Sequence, residues 1–125
     1  MTILELMTVI SIIAIIAAIG IPTFLNIKDK SIIGTTEGNL TIIRKALNNY
    51  MVDSPTNRFP VGPLDYDGLR SAIPFANLPV TEEDAKIQEG SLFYTGNGLT
   101  YHFTARSTNS FNQLFTATPN GLVRN

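Results

Sequence analysis

A long uncharged segment constrains this chain more than any other feature. Between Glu5 and Lys28, twenty-two residues carry no charged side chain, and most of them are apolar. As an α-helix this segment would rise about 33 Å, which is enough to cross a hydrocarbon core of about 30 Å. Residues 1–27 are therefore predicted to form the hydrophobic part of a helix that can span a membrane.

Glu5 is the single carboxylate at the start of that segment. Placing a carboxylate inside a membrane-embedded helix costs on the order of 3 kcal/mol at mid-depth and less near an end. We therefore expect Glu5 to have a function. No Lys or Arg occurs in the first twenty-seven residues, which leaves the α-amino group of Met1 as the nearest cation. The helix dipole disfavours an amine at its own N-terminus, so Glu5 is expected to meet the amine of a neighbouring copy. The alternative is that Glu5 lies at the membrane interface and only marks the edge of an anchor.

The first twenty-two residues also form a specific pattern. Residues 2–10 read TILELMTVI, and residues 12–22 read IIAIIAAIGIP. This stretch resembles the mature N-terminus of the type IV pilins. The resemblance implies that a prepilin peptidase removes a short leader and methylates the new amine, here that of Met1, and that Glu5 guides docking into a growing filament.

The sequence departs from the usual pilin pattern at two points. Pilins usually begin with Phe, whereas this chain has Met1, and the sequence contains no cysteine. A receptor-binding loop closed by a disulfide is therefore excluded.

Taken with the resemblance, the chain is interpreted as a structural subunit of an extracellular pilus, stored in the cytoplasmic membrane before assembly. The implied partners are further copies in a helical homopolymer, the prepilin peptidase and the pilus assembly platform. A pseudopilin of a type II secretion or DNA-uptake system would share every N-terminal feature. An alternative of another class is a bitopic membrane-anchored binding domain.

The helical pattern continues to residue 53, and the expected fold is α+β. Gly20 and Pro22 predict a kink or local melting of the helix, because proline removes a backbone hydrogen bond. A second weak point is expected at residues 34–38, which contain two glycines. Residues 28–53 form an amphipathic half, with an apolar face directed at a sheet and a polar face opposite. The apolar face comprises Leu40, Ile43, Leu47 and Tyr50, and the polar face comprises Glu37, Thr41, Arg44 and Asn48.

Residues 54–125 are predicted to form a C-terminal globular head. Residues 54–90 read as an exposed connecting region with short helical turns at residues 64–73 and after Thr81. Residues 91–125 read as an antiparallel sheet of three or four strands, on which the long helix packs. The apolar positions of the predicted strands are Leu99, Tyr101, Phe103, Ala105, Phe111, Phe115 and Ala117, and Asn97-Gly98 is expected to supply positive φ angles for a hairpin.

No catalytic, cofactor or metal site is predicted. His102 falls on the polar face of a strand, where an exposed imidazole is expected. The acidic stretches at residues 65–68 and 82–84 are interpreted as solvated turns, because the first lacks the further carboxylates of a calcium loop. A net charge of −1 offers no basic surface, so nucleic-acid binding is not indicated. Asn39 begins an N-x-Thr acceptor sequence, which makes glycosylation a minor alternative.

Overall fold

The computed structural model describes residues 2–125 of the chain. A single long helix, α1, runs from Ile3 to Asp53 without interruption. The chain divides into two compact units, one reaching to Ser31 and one spanning Ile32–Asn125. The expected weak point at residues 34–38 is not a break, because these residues are helical throughout.

The second unit, called the folded unit below, contains the sheet. Its four strands are β1 (Phe93–Gly96), β2 (Tyr101–Arg106), β3 (Leu114–Thr118) and β4 (Gly121–Arg124). They form an antiparallel meander in the order β1-β2-β3-β4. The predicted α+β arrangement is confirmed, with four strands.

The core lies between the second half of α1 and one face of the sheet. Leu40, Ile43 and Leu47 are fully buried, as the helical spacing predicts, and Tyr50 packs against the core at its edge. The sheet contributes the inward-facing residues of alternate positions, which are Tyr94, Tyr101, Phe103, Ala105, Phe115 and Ala117. Four of the core rings contact one another, and the closest pair, Phe59 and Tyr101, has ring centroids 4.8 Å apart in an edge-to-face arrangement.

Residues 54–90 contain the helical turn predicted within residues 64–73, but they are not exposed throughout. This segment contains helix α2 (Tyr66–Ala72) and a 3-10 turn (Pro74–Ala76), and it buries a row of apolar side chains. They are Phe59, Tyr66, Leu69, Ile73, Leu78, Ala85 and Ile87. A four-stranded sheet and one helix leave part of the core open, and this segment covers it.

Part of the same segment also covers the outer edge of β1. Leu64 and Tyr94 exchange two backbone hydrogen bonds of 2.9 Å, and the Gly62 N–H donates to the Gly96 carbonyl at 3.1 Å. The backbone approaches closely here, since a Cβ on Gly96 would lie 2.6 Å from the Tyr94 hydroxyl. Glycine is therefore required at position 96.

Three strand-level predictions need correction. Leu99 lies in the β1–β2 turn and Phe111 in the β2–β3 loop, so both are exposed rather than inward-facing. In the β1–β2 turn, Gly98 has a positive φ of 91°, whereas Asn97 does not. Asn97 instead closes the turn by accepting the N–H groups of Leu99 and Thr100 on its side-chain oxygen, at 3.0 and 2.9 Å.

Candidate functional site

Thr2 and Glu5 bond to each other at the start of α1. The Thr2 N–H donates to Oε2 of Glu5 at 2.9 Å, and the Glu5 N–H donates to the Thr2 hydroxyl at 3.1 Å. This reciprocal arrangement is a capping box, in which two backbone groups at a helix N-terminus are satisfied. The sequence reasoning missed it, although the T-x-x-E spacing of residues 2–5 is its signature.

The capping box gives Glu5 hydrogen bonds but no opposite charge. Within residues 2–125, no cation pairs with the Glu5 carboxylate, and Oε1 receives no hydrogen bond. Met1, the predicted partner and the predicted site of processing and methylation, lies outside the described residues. The pairing of Glu5 with a neighbouring amine therefore stays a prediction.

The apolar half of α1 exposes its side chains on every side. Ile3 is 79 % exposed and Ile19 is 69 % exposed, and the residues between them follow the same pattern. By length and composition this helix could cross a membrane, a test that a signal sequence near the N-terminus would also pass. So large an apolar surface marks contact with lipid or with other protein.

The hydroxyl groups of this apolar half are all satisfied within the helix. Thr8, Ser11 and Thr23 each donate to the carbonyl four residues earlier, at 2.9, 2.8 and 3.1 Å. Such back-bonding leaves no hydroxyl that requires water. These three polar side chains are therefore compatible with an apolar environment.

Gly20 and Pro22 lie within continuous helix. Pro22 has no N–H to donate to the Ala18 carbonyl, and the Thr23 hydroxyl adds a bond to the adjacent Ile19 carbonyl. A Cβ on Gly20 would meet nothing within 4 Å beyond the adjacent residues and backbone of its own helix. Local melting at this point on packing into a filament stays a prediction.

The acidic stretches of the folded unit have local structural roles. Asp65 caps α2 by accepting the Gly68 N–H at 2.8 Å. Glu82 accepts the Gly90 N–H at 2.9 Å, while burial raises the pKa of Glu82 despite this bond. No group of three or more His, Cys, Asp or Glu residues among residues 2–125 is arranged to hold a metal ion. His102 is exposed on the outer face of β2, as expected.

Asn39 and Thr36 attach the turn at residues 82–87 to α1. The Asn39 amide donates to the Ala85 carbonyl at 2.9 Å, and the buried Thr36 hydroxyl lies 2.6 Å from the Lys86 carbonyl. A glycan on Asn39 would be attached to the half-buried nitrogen that makes the first bond, so the folded unit disfavours glycosylation there. Arg44, expected on the solvent side, is half-buried and donates to the Thr118 carbonyl at 3.2 Å.

Comparison with known proteins identifies no relative: no family model, no curated protein and no solved structure matches this chain. The resemblance to the type IV pilins stands on the pattern of residues 2–22.

Proposed function

We propose that this chain is a pilin, a structural subunit that polymerises into an extracellular type IV pilus through the apolar half of α1. The observation that carries the proposal is the apolar half of α1, which is exposed on every side and bears a single charge, Glu5, at its start. Lipid covers such a surface while the subunit is stored in the membrane, and identical helices cover it in a filament. Contacts between different patches of identical subunits do not close, so they generate a growing fibre.

The geometry around Glu5 supports a role in assembly. Oε2 is engaged by the Thr2 N–H, but Oε1 has no donor within residues 2–125. The carboxylate can therefore accept the amine of an adjacent copy without losing its cap. Inside a bundle of apolar helices, such a pair neutralises two charges that would otherwise be isolated.

The capping box also favours a second candidate, the bitopic membrane-anchored binding domain. A carboxylate that caps its own helix has a structural role, and that role would explain Glu5 without any filament. A pseudopilin would share the N-terminal features of a pilin, and the length and abundance of the fibres distinguish these two.

Two substitutions separate charge pairing from capping. Glu5→Gln removes the charge but keeps a residue that completes a capping box, whereas Thr2→Val removes the cap and keeps the charge. Each variant is produced in cells that carry the pilus assembly machinery, and the membrane and sheared surface fractions are immunoblotted. We expect Glu5→Gln to insert normally and to lower the yield of sheared fibres at least about tenfold, because a buried charge pair loses one partner.

The Thr2→Val variant serves as the control. We expect it to keep most of its fibres, because a lost cap costs only about 1 kcal/mol. If Glu5→Gln yields fibres at the parental level, the pilin proposal is wrong. Mass spectrometry of the N-terminal peptide from sheared fibres then tests whether Met1 is the processed and methylated residue.

A further inference from the structure

A shallow depression lies at one end of the sheet, where the β1–β2 turn approaches the end of β3. Its volume is about 520 Å³, and the polar side chains that line it belong to Thr95, Asn97, Thr100, His102, Thr118 and the largely buried Tyr101. Thr95 and His102 are cross-strand partners on the solvent face, which alternates with the buried face formed by Tyr94 and Tyr101. The volume falls within the range of small-molecule sites, about 300–1,000 Å³.

The polar groups around this depression have unused hydrogen-bonding capacity. Within residues 2–125, the side chains of Thr95, Thr100, His102 and Thr118 make no hydrogen bond. The Asn97 oxygen is used by the β1–β2 turn, but its amide nitrogen is not. Hydroxyl, amide and imidazole groups with available donors and acceptors therefore border a largely apolar depression.

The lining of the depression is also uncharged, unlike that of two other cavities of the folded unit. One of those is lined by Asp67, Glu82, Glu83 and Glu89, and the other includes Arg70. No Asp, Glu, Lys or Arg lines the depression at the sheet. Arg44 donates to the Thr118 carbonyl from outside this lining, so the lining itself offers a charged ligand no opposite charge and favours a neutral one.

The same face of the sheet continues from the depression toward an exposed aromatic ring. Phe93 is 56 % exposed and lies two residues before Thr95 on β1, about 7 Å along the strand. Its cross-strand neighbour is Thr104, which in turn pairs with Thr116 of β3. A ligand extending out of the depression would pass over a flat surface of hydroxyl groups and one aromatic face.

We propose that this face binds a neutral oligosaccharide, with one sugar ring in the depression and the next ring against Phe93. Sugars present both hydroxyl groups, which match the Thr and Asn side chains, and apolar C–H faces, which match an aromatic ring. This binding site lies entirely in the folded unit, so it does not depend on filament formation.

The test uses the full chain, isotopically labelled, in zwitterionic micelles whose detergent has no sugar headgroup. Cellohexaose and maltohexaose are the neutral probes, and hexagalacturonate is a charged probe of the same length. Backbone amide shifts are followed by two-dimensional NMR up to tens of millimolar probe. We expect one or both neutral probes to shift amides of residues 93–104 and 116–118, with at least about tenfold weaker binding of hexagalacturonate.

Variants locate the contact. Thr95→Val and Thr118→Val each remove a hydroxyl while keeping a strand-favouring residue, and each should weaken binding about fivefold to tenfold. Thr108→Val is the matched control, because Thr108 is exposed in the β2–β3 loop outside the depression. The proposal is overturned if neither neutral probe shifts these amides, if hexagalacturonate binds equally well, or if Thr108→Val weakens binding as much as the other two.

Discussion

Replacing Tyr94 or Tyr101 with Phe should change the stability of the folded unit in opposite directions. Both rings are buried, and they stack with centroids 5.9 Å apart, so the two substitutions remove the same atom from the same region. The Tyr94 hydroxyl donates to the Pro60 carbonyl at 2.7 Å. The Tyr101 hydroxyl is buried and has no hydrogen-bond partner among residues 2–125.

The magnitudes follow from what each hydroxyl leaves behind. Tyr94→Phe leaves the Pro60 carbonyl buried without its donor, which should lower the free energy of unfolding by about 1–3 kcal/mol. Tyr101→Phe removes a polar group that folding has desolvated without compensation, which should raise the free energy of unfolding by about 1 kcal/mol. Burial raises the pKa of Tyr101, and the Arg44 guanidinium opposes that rise through its charge and through a hydrogen bond to the ionised oxygen. The neutral Tyr101 hydroxyl does not meet hydrogen-bond geometry with Arg44, so this contact does not satisfy it.

The assay is urea unfolding of the full chain in detergent micelles, followed by near-ultraviolet circular dichroism. All four tyrosines of the chain lie at position 50 or later, so the signal reports the folded unit and not the apolar half of α1. A shift of the midpoint at constant slope gives the change in free energy of unfolding. If Tyr101→Phe destabilises the folded unit as much as Tyr94→Phe does, the Tyr101 hydroxyl has a partner and the reasoning fails.

Two other measurements test the packing. Gly96→Ala should destabilise the folded unit by about 1–3 kcal/mol, because its Cβ would meet the Pro60 carbonyl and the Tyr94 hydroxyl. Gly38→Ala should stabilise it by about 1 kcal/mol, since alanine favours the helix and its Cβ would meet nothing within 4 Å beyond the adjacent residues and backbone of its own helix. The urea midpoints of both variants check the contrast. Burial raises the pKa of Tyr66, Tyr94 and Tyr101 in the folded state. The same tyrosines ionise first in the unfolded chain, so the free energy of unfolding should fall as the pH rises above the ordinary tyrosine pKa of 10.0. A pH titration of the urea midpoint that stays level from pH 9 to pH 12 would contradict the burial of these hydroxyls.

Several features of the fold could be predicted from the sequence because they depend on local periodicity. The spacing of three and four residues in Leu40, Ile43 and Leu47 identified the buried face of α1. The alternation of Tyr101, Phe103 and Ala105 identified the inward face of β2, because neighbouring side chains on a strand point to opposite sides.

The same periodicity failed where the chain turns. Leu99 continues the alternation of β2 and Phe111 resembles the start of β3, yet both lie outside the strands. Hydrogen bonds to the Asn97 side chain, and not an apolar pattern, decide where the first turn begins. For the candidate assembly site, the apolar segment and Glu5 were evident from the sequence, whereas the capping box was overlooked.

The sequence by itself determined the apolar helix with one carboxylate at its start, and it determined an α+β chain whose strands follow that helix. Helix and strand patterns are properties of neighbouring residues, so they are visible without a fold. Only the tertiary structure decided that residues 54–90 complete the core and that Asn39 and Thr36 bind the turn at residues 82–87. It also decided that the Tyr94 hydroxyl has a hydrogen-bond partner, whereas the neutral Tyr101 hydroxyl has none. These contacts join residues far apart in the chain, and their geometry depends on how the whole folded unit packs.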